Sequence, residues 1–417
     1  MKKSLLFLAA AAAVSMSAFA QTDLTEGTEY YIRNVKTGMF LAGGYGWSTN
    51  LIIKPQGRAF ELYGGDGYGA YKMRSSCGDV KSDNGYYVDG GAGSSPEFFI
   101  EAYNGHYTID LDGGMLKPND DMMTYGDAFD AGIITDSWES WLQSIHSYDF
   151  YTLTTTPSLD DEAILWDFMT REDLIAELKA NASEENPMEA TFLIKAHNVD
   201  REDEAASRAA WVINPDMPEL ADKDEGLKYA NINWGYYKDL ENEWAVADTY
   251  FFYNYDDAEE DLTVTVGQEA TGAPAGLYEV KYRVVNQITT PFSLTFNETQ
   301  ADVVEHEYDL WYGSTTGYFA DRSQVKTARF EVGEDGKLAI KMTKDVKAAT
   351  QSRFAFKNFI LTYLGSEEEG SGVETVATDA ADAPAEYFNL QGIRVAEPTN
   401  GIYIVKQGNK VSKQVVR

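Results

Sequence analysis

Strict alternation of apolar and polar residues in the second half of the chain is the feature that most limits its fold. Tyr278, Val280, Tyr282 and Val284 alternate with charged residues. A period of two places such side chains on one face of a β-strand, whereas the apolar face of a helix needs a period near 3.6. The segment 188–365 is therefore predicted to form an antiparallel β-sandwich.

A second pair of alternating runs follows in the same segment. One run carries Phe330 and Val332, the other carries Leu338 and Ile340, and a Gly-Glu-Asp-Gly stretch at 333–336 separates them. A glycine-rich tetrapeptide between two alternating runs is a hairpin signal. We therefore expect the two runs to pair with each other.

A weak internal repeat marks residues 21–170. Short strand-like runs begin at Tyr31, Tyr71 and Tyr107, at intervals of 40 and then 36 residues. Three units of this period, each made of short strands, predict a β-trefoil whose third unit ends at 166–168. An irregular β-barrel with accidental similarity is the alternative interpretation.

A helix is predicted between these two segments. Thr170 and Asp173 have the spacing of a capping box, and Leu174 and Leu178 belong to one apolar stripe. We interpret residues 171–187 as a helical connector packed between domains. A helix that binds a partner is the other interpretation of the stripe.

The two ends of the chain differ in composition from its middle. Residues 1–20 combine a basic start, a short apolar stretch and small residues at a cleavage site, which is typical of a signal peptide. Residues 366–386 contain seven carboxylates and no Lys or Arg, so they predict a self-repelling acidic linker. Residues 387–417 alternate again. The predicted fold class is therefore all-β: a β-trefoil, a connector helix, a jelly-roll β-sandwich and a small C-terminal β unit.

The balance of charged and catalytic residue types excludes several classes of function. The formal net charge is −33, and such a surface repels nucleic acid and anionic lipid. Cys77 is the single cysteine, and the four histidines lack the spacing of a zinc site. Nucleophile, P-loop and dinucleotide motifs are missing. We predict no enzyme activity, no cofactor, no metal and no transmembrane segment in the mature chain.

Aromatic residues beside glycines or turns are the candidate ligand contacts. Sugars present C–H faces that stack on aromatic rings, while carboxylates and amides accept their hydroxyls. The candidates are Tyr45, Trp47, Trp234, Tyr236, Tyr237, Trp244, Trp311 and Tyr312. Burial in a core is the alternative interpretation of each one.

Three stretches resemble known families. The run YYIRNVKTGMFLAGG at 30–44 resembles the ricin-type trefoil domains of secreted bacterial proteins, although their Gln-x-Trp signature is missing. The run at 170–195 resembles the junction, in secreted polysaccharide-degrading proteins, between such a trefoil and a galactose-binding-like jelly roll, and the run at 356–365 resembles the last strand of that jelly roll. Related modules have an Asp where this chain has Lys357, and a cation there argues against a calcium site. Residues 387–417 resemble, in a short form, the sorting domain read by type IX secretion systems.

These resemblances imply a function and a location. Both large modules are similar to accessory modules of polysaccharide-degrading proteins, so we expect a non-catalytic glycan-binding protein whose partner is a neutral polysaccharide or glycan. A structural or adhesive surface protein that binds other proteins is the alternative, and a polysaccharide hydrolase is a third hypothesis. The tail implies contact with a secretion machinery through 387–417, and with it export to the exterior or outer-membrane surface of a Gram-negative bacterium.

Overall fold

The computed structural model describes two compact units, within Met1–Ser366 and Glu367–Arg417. The described residues are 24–45, 50–76, 78–82, 86–89, 94–111, 113–123, 150–197, 209–213, 234–237, 245–249, 251–254, 261–288, 290–307, 324–347, 353–366, 386–388, 394–395, 401–407 and 410–416. The predicted signal peptide and most of the predicted acidic linker lie outside them.

Twelve short strands form the first part of unit one, which we call the ring lobe (24–169). They are β1 (Glu29–Asn34), β2 (Phe40–Tyr45), β3 (Asn50–Lys54), β4 (Ala59–Tyr63), β5 (Ala70–Ser75), β6 (Gly78–Lys81), β7 (Tyr87–Asp89), β8 (Phe98–Tyr103), β9 (His106–Leu111), β10 (Gly114–Pro118), β11 (Tyr151–Thr156) and β12 (Trp166–Met169). A 3-10 turn, Glu162–Ile164, precedes the last of them.

Pairing between these strands closes on itself. Strands β1, β4, β5, β8, β9 and β12 pair in that order, and β12 pairs back with β1. The hairpins β2–β3, β6–β7 and β10–β11 lie outside this ring, and β3 also pairs with β7 and β11. The three predicted repeat starts fall in β1, β5 and β9, which are four strands apart.

The core cluster of the ring lobe is apolar, and its one tryptophan has a fixed polar contact. Ile32, Phe60, Ile109 and Trp166 are fully buried in one cluster. The indole Nε1 of Trp166 donates to the carbonyl of Leu116 over 3.0 Å, so burying this ring leaves no donor unsatisfied. The predicted end of the third unit, 166–168, thus lies in the core strand β12.

One α-helix, α1 (Arg171–Asn181), follows the ring lobe directly. Its capping box is present: the Thr170 hydroxyl accepts from Asp173 N, and the Asp173 carboxylate accepts from Thr170 N. Leu174 and Leu178 are buried. The predicted helix and its cap are confirmed.

The second part of unit one is the sandwich lobe (188–365). Its strands are β13 (Met188–Glu189), β14 (Val212–Ile213), β15 (Trp234–Tyr237), β16 (Ala245–Thr249), β17 (Phe251–Asn254), β18 (Leu262–Ala270), β19 (Gly276–Gln287), β20 (Phe292–Phe296), β21 (Thr299–Gln300), β22 (Val304–His306), β23 (Gln324–Val332), β24 (Leu338–Val346) and β25 (Arg353–Tyr363). A 3-10 turn, Thr191–Leu193, follows the first strand.

Two sheets in a jelly-roll-like arrangement make up most of this lobe. One contains β13, β17, β19, β22, β23 and β25, and the other contains β14, β18, β20, β21 and β24. The predicted inward face of β19 is confirmed, since Tyr278, Val280, Tyr282 and Val284 are all fully buried. They join side chains from both sheets in one core. The prediction of a mostly β protein is therefore confirmed.

The predicted hairpin around 333–336 is wrong. Strand β23 pairs with β19, whereas β24 pairs with β18 and β20 in the other sheet. The glycine turn carries the chain across the core from one sheet to the other, because Phe330 and Leu338 bury their side chains from opposite sides of it. Gly336 has φ +64, and an added Cβ would lie 3.0 Å from the carbonyl of Ala273, so the crossing requires glycine.

Asn358 explains an irregular spacing in the last strand. Phe356 and Phe359 are both fully buried although three positions separate them, which breaks a period of two. Asn358 between them has φ +56, and the β19–β25 register shifts between Lys281 and Arg283. A bulge with one residue in the left-handed region thus returns the strand to its inward face.

The second unit contains four strands in one sheet. They are β26 (Glu386–Phe388), β27 (Arg394–Val395), β28 (Gly401–Gln407) and β29 (Lys410–Val416). Their order in the sheet is β27-β26-β28-β29 with antiparallel pairing throughout.

Candidate functional site

The structure describes the predicted aromatic contacts only in part. Trp234, Tyr236 and Tyr237 lie in β15, which pairs among the described strands with β16 and has a register shift after Gly235. Tyr45 ends β2. For these four the backbone is described, and the rest of the set (Trp47, Trp244, Trp311 and Tyr312) lies outside the described residues. Their role as ligand contacts stays a prediction.

An exposed tyrosine that the sequence reasoning missed lies at the turn between β4 and β5. Tyr68 is 88% exposed. It lies in a run of residues 64–69, Gly-Gly-Asp-Gly-Tyr-Gly, which we call the Tyr68 loop. A ring this open to solvent contributes little to the core, so its position is decided by the loop that carries it.

The backbone of the Tyr68 loop is held from both ends. The Asp66 Oδ1 accepts from Tyr68 N at 2.7 Å and from Ala70 N at 3.2 Å. Gly64 N donates to Glu26 Oε1 at 2.6 Å, and Gly69 O accepts from Ile100 N at 2.8 Å. The loop therefore presents an aromatic ring to solvent on a fixed backbone.

Two glycines make this loop conformation accessible. Gly67 and Gly69, on either side of Tyr68, have φ +78 and +93, values that residues with a Cβ rarely adopt. An added Cβ at Gly69 would also lie 3.2 Å from the Ile100 carbonyl. The signal available in the sequence was an aromatic between glycines two positions after an aspartate, the same type of signal that selected Tyr45 and Trp47.

A second exposed aromatic ring lies on the strand that borders the Tyr68 loop. Phe99 on β8 is 45% exposed and pairs in register with Ala70, the first residue of β5. Exposed aromatic rings near a carboxylate are the elements from which saccharide sites are built. The second carboxylate oxygen of Asp66 is available to accept hydroxyl groups.

A cleft of about 680 Å³ lies between the ring lobe and the sandwich lobe. The half-buried rings of Tyr31 and Phe192 line it and meet edge to face, with centroids 5.7 Å apart. Burial, with the nearby Glu29 carboxylate acting in the same direction, raises the pKa of Tyr31 to about 12. The Tyr31 hydroxyl is therefore a neutral donor at physiological pH.

Side chains of both charges line this inter-lobe cleft. The cations are Arg58, Arg171 and Lys195, and the carboxylates are Glu29 and Glu269. Glu269 is paired with Lys337, which lies outside the lining, at 2.6 Å. The lining thus contains three cations and two carboxylates in a chain that is otherwise strongly acidic.

Helix α1 joins the two lobes through contacts on both sides. Leu174 packs with Phe40 and Met169 of the ring lobe, whereas Leu178 belongs to the core of the sandwich lobe. At its first residue, Arg171 Nη2 donates to the carbonyl of Thr271 at 3.1 Å. The cleft walls are therefore fixed to each other by the helix.

A histidine–aspartate pair in the ring lobe belongs to a charged network at α1. His106 Nδ1 lies 2.6 Å from Asp167 Oδ1, and Asp167 Oδ2 lies 3.5 Å from Arg33. Arg33 in turn makes two bonds, 2.8 and 2.9 Å, to the carboxylate of Glu177 on the helix. The pair orients an imidazole as catalytic triads do, but here it anchors the helix to β1, β9 and β12.

In the described part of the chain, no three His, Cys, Asp or Glu side chains lie close enough to hold a metal ion. Within these ranges no helix combines the length and apolar character needed to cross a membrane.

Comparison with known proteins gives no family. No protein-family model matches the chain, and no curated protein matches it.

Several solved structures share local similarity with the chain. A carbohydrate-binding module (TmCBM61) in complex with β-1,4-galactotriose is 16% identical, with 27% of this chain and 70% of that one covered and a TM-score of 0.19. The ricin B-like lectin of Macrolepiota procera, in complex with lactose, is 16% identical, with 36% and 99% covered and a TM-score of 0.25. The α-xylosidase Xac1773 of Xanthomonas citri is 10% identical, with 75% and 34% covered and a TM-score of 0.18. With every TM-score below 0.5, we draw no conclusion about function from these likenesses.

Proposed function

We propose that this chain is an exported, non-catalytic protein that binds glycans and holds neutral saccharides against exposed aromatic rings. The Tyr68 loop is the observation that carries the proposal. It combines a ring that is 88% exposed with a carboxylate, Asp66, whose Oδ1 fixes the backbone of the same loop. The ring offers apolar area to the C–H face of a sugar, and the carboxylate accepts its hydroxyls.

The rigidity of the loop supports binding over a structural role. A ring held out on a fixed backbone loses little conformational freedom when a ligand stacks on it, so more of the contact energy appears as affinity. A neutral ligand also avoids the electrostatic repulsion of a chain with net charge −33.

The finer architecture belongs to the same proposal. Residues 21–170 form a β-trefoil, 171–187 a connector, 188–365 a galactose-binding-like jelly roll, 366–386 an acidic linker and 387–417 a sorting-like tail. A closed ring of six strands with three outlying hairpins supports the trefoil. Trp234, Trp311 and the other predicted aromatics are proposed as further contacts.

A binding experiment on the whole chain tests the Tyr68 loop. Titration with an array of neutral oligosaccharides is expected to identify a ligand. The variant Tyr68→Ala should bind this ligand about tenfold more weakly, because the stacking contact is lost. Tyr68→Phe keeps the ring and should retain most of the affinity. Leu159→Ala removes another exposed apolar side chain, 52% exposed, from the same lobe and serves as the matched control.

The outcomes separate the alternative functions. Affinity that is unchanged by Tyr68→Ala but lost in Trp234→Ala or Trp311→Ala would move the site to the sandwich lobe. A folded protein that binds no neutral saccharide would overturn the proposal and favour the structural or adhesive protein. Release of shortened saccharides during incubation would overturn the non-catalytic part.

Export is tested by removing the tail. A chain that ends at Ser366 keeps the first compact unit and lacks the second. If 387–417 contacts a secretion machinery, the amount of protein outside the cell should fall sharply while the melting temperature of the purified first unit stays unchanged. Undiminished export would contradict a sorting role.

A further inference from the structure

Three cations converge on the inter-lobe cleft from three different elements. Arg58 comes from the segment before β4, Arg171 from the first residue of α1, and Lys195 from the segment that follows the 3-10 turn of the sandwich lobe. Of the two carboxylates in the lining, Glu269 is neutralised by Lys337 at 2.6 Å. A concave surface lined by an excess of one charge concentrates ligands of the opposite charge.

Hydrogen bonds fix the main chain of Lys195 and Arg58 and the guanidinium of Arg171. Buried Gln268 bonds to both the N–H and the carbonyl of Lys195, at 3.1 and 3.0 Å. The guanidinium of Arg171 donates one N–H to the carbonyl of Thr271 and keeps others for a ligand. Arg58 N donates to the Leu41 carbonyl at 3.2 Å. Among the described residues the exposed ammonium of Lys195 has no ion-pair partner.

The size and walls of the cleft indicate more than a small inorganic ion. Its volume of about 680 Å³ lies in the range of sites for ligands with several rings. Tyr31 and Phe192 supply apolar ring surface, and Ser76 and Thr271 supply hydroxyl groups at the rim. Apolar rings, hydroxyls and cations together match a sugar chain that carries negative groups.

We propose that the inter-lobe cleft is a second binding site, distinct from the Tyr68 loop, for an acidic oligosaccharide whose sugars carry carboxylates. The planar guanidinium of Arg171 pairs with a carboxylate, and the ammonium of Lys195 provides a second, compact charge. The saccharide class rests on the proposed function, whereas the requirement for negative charge rests on the cleft alone. The chain would then select acidic and neutral sugars at different places.

Titration of the full chain with tetragalacturonate tests this site, with its fully methyl-esterified form as the neutral matched probe. The acid is expected to bind, the ester to bind at least tenfold more weakly, and the affinity for the acid to fall with added salt. The variant Lys195→Ala should bind tetragalacturonate about tenfold more weakly, because a hydrogen bond to a charged group is lost. Lys281 is an exposed lysine of the same lobe that lies outside the lining of the cleft, so Lys281→Ala should leave the affinity for tetragalacturonate unchanged.

Each result decides for or against the site. Absence of tetragalacturonate binding, equal affinity for the ester, or affinity unchanged in Lys195→Ala would overturn the proposal. Inorganic phosphate that competes fully with the acid, with no gain from the sugar, would overturn the saccharide assignment. The variant Tyr68→Ala separates the two sites. If it loses affinity for neutral saccharides but keeps affinity for tetragalacturonate, the cleft is a site of its own. A protein that binds neutral saccharides but not tetragalacturonate would contradict the cleft proposal and leave the Tyr68 proposal unaffected.

Discussion

Two tyrosines, one in each lobe, are used in opposite ways. Tyr278 in the sandwich lobe is fully buried, packs against Phe330 and Tyr363, and donates its hydroxyl to the carbonyl of Pro274 at 2.8 Å. Tyr68 in the ring lobe is 88% exposed, and the bonds around it fix its backbone. The role of an aromatic residue in this chain therefore depends on whether a second sheet covers it.

The same contrast extends to polar groups. The sandwich lobe buries Lys344 of β24, and the ring lobe buries Asn34 at the end of β1. Asn34 connects segments that are far apart in the sequence, since Nδ2 donates to the carbonyls of Ala163 and Leu165. The strands of the sandwich lobe reach twelve residues (Gly276–Gln287), whereas those of the ring lobe have at most six, and Asn34 adds side-chain bonds between its short segments.

The largest effect is expected from the sandwich core. Phe359→Ala should lower the free energy of unfolding by about 3–5 kcal/mol, because the ring contacts Trp211, Tyr282 and Phe356 and is fully buried. Tyr68→Ala should change it by less than about 0.5 kcal/mol. Chemical denaturation of both variants measures this, and equal losses would break the contrast between buried and exposed aromatic residues.

The next effect concerns the buried lysine. Lys344 Nζ donates to Asn286 Oδ1 at 2.7 Å and to the carbonyls of Gln287 and Thr290 at 3.0 and 3.3 Å. Burial lowers the pKa of Lys344 to about 8 from 10.5, against the opposing influence of the Glu305 and Asp345 carboxylates. The folded state therefore gives up its proton at lower pH than the unfolded state does.

Stability should rise with pH across this window. Between pH 8 and 10.5 the unfolded state binds more protons, so the wild type should gain about 3 kcal/mol relative to Lys344→Met, which lacks the group. Denaturation of both proteins at several pH values gives the difference between their free energies of unfolding. The contributions of the other titrating groups cancel in this difference. A difference that stays constant over the window would refute a lowered pKa.

A smaller loss is expected in the ring lobe from Asn34→Ala. The variant removes two bonds donated by Nδ2 and one accepted from Thr37 N at 3.1 Å. We expect a loss of about 2 kcal/mol, in the lower part of the range for three hydrogen bonds that each contribute about 0.5–1.5 kcal/mol. Thr37→Ala is the control that keeps the backbone N–H. If Asn34→Ala lowers the free energy of unfolding no more than Thr37→Ala does, the bonds of Asn34 do not stabilise the ring lobe.

A second pH-dependent effect is expected where the lobes meet. Burial raises the pKa of Glu189 to about 7 from 4.5, although bonds from Thr191 and the charge of Lys54 oppose the shift. A raised carboxyl pKa stabilises the fold below pH 4.5, and this contribution is lost as the pH rises through 7. Glu189→Gln keeps an acceptor for Thr191 N and should be the more stable protein at pH 8, with the difference vanishing near pH 4. Thermal melts of the wild type and Glu189→Gln at pH 4 and at pH 8 measure this difference in stability.

Local patterns in the sequence determined which residues face inward and where the helix begins. The alternation from Tyr278 to Val284 fixed the buried face of β19, and the spacing of Thr170 and Asp173 fixed the start of α1. Both depend on neighbours within a few residues, so they can be read from the chain directly. The mostly β character follows from the same alternation.

Only the tertiary structure decided which strands pair and which rings stay outside. A period of two sets the face of a strand but not its pairing partner, so the pattern around 333–336 predicts a hairpin although the stretch joins two sheets. The exposure of Tyr68 and the burial of Lys344 likewise depend on groups far away in sequence that do or do not cover them. Strand pairing, and whether a side chain outside the alternating pattern is covered, are set by these distant contacts, which a local pattern does not specify.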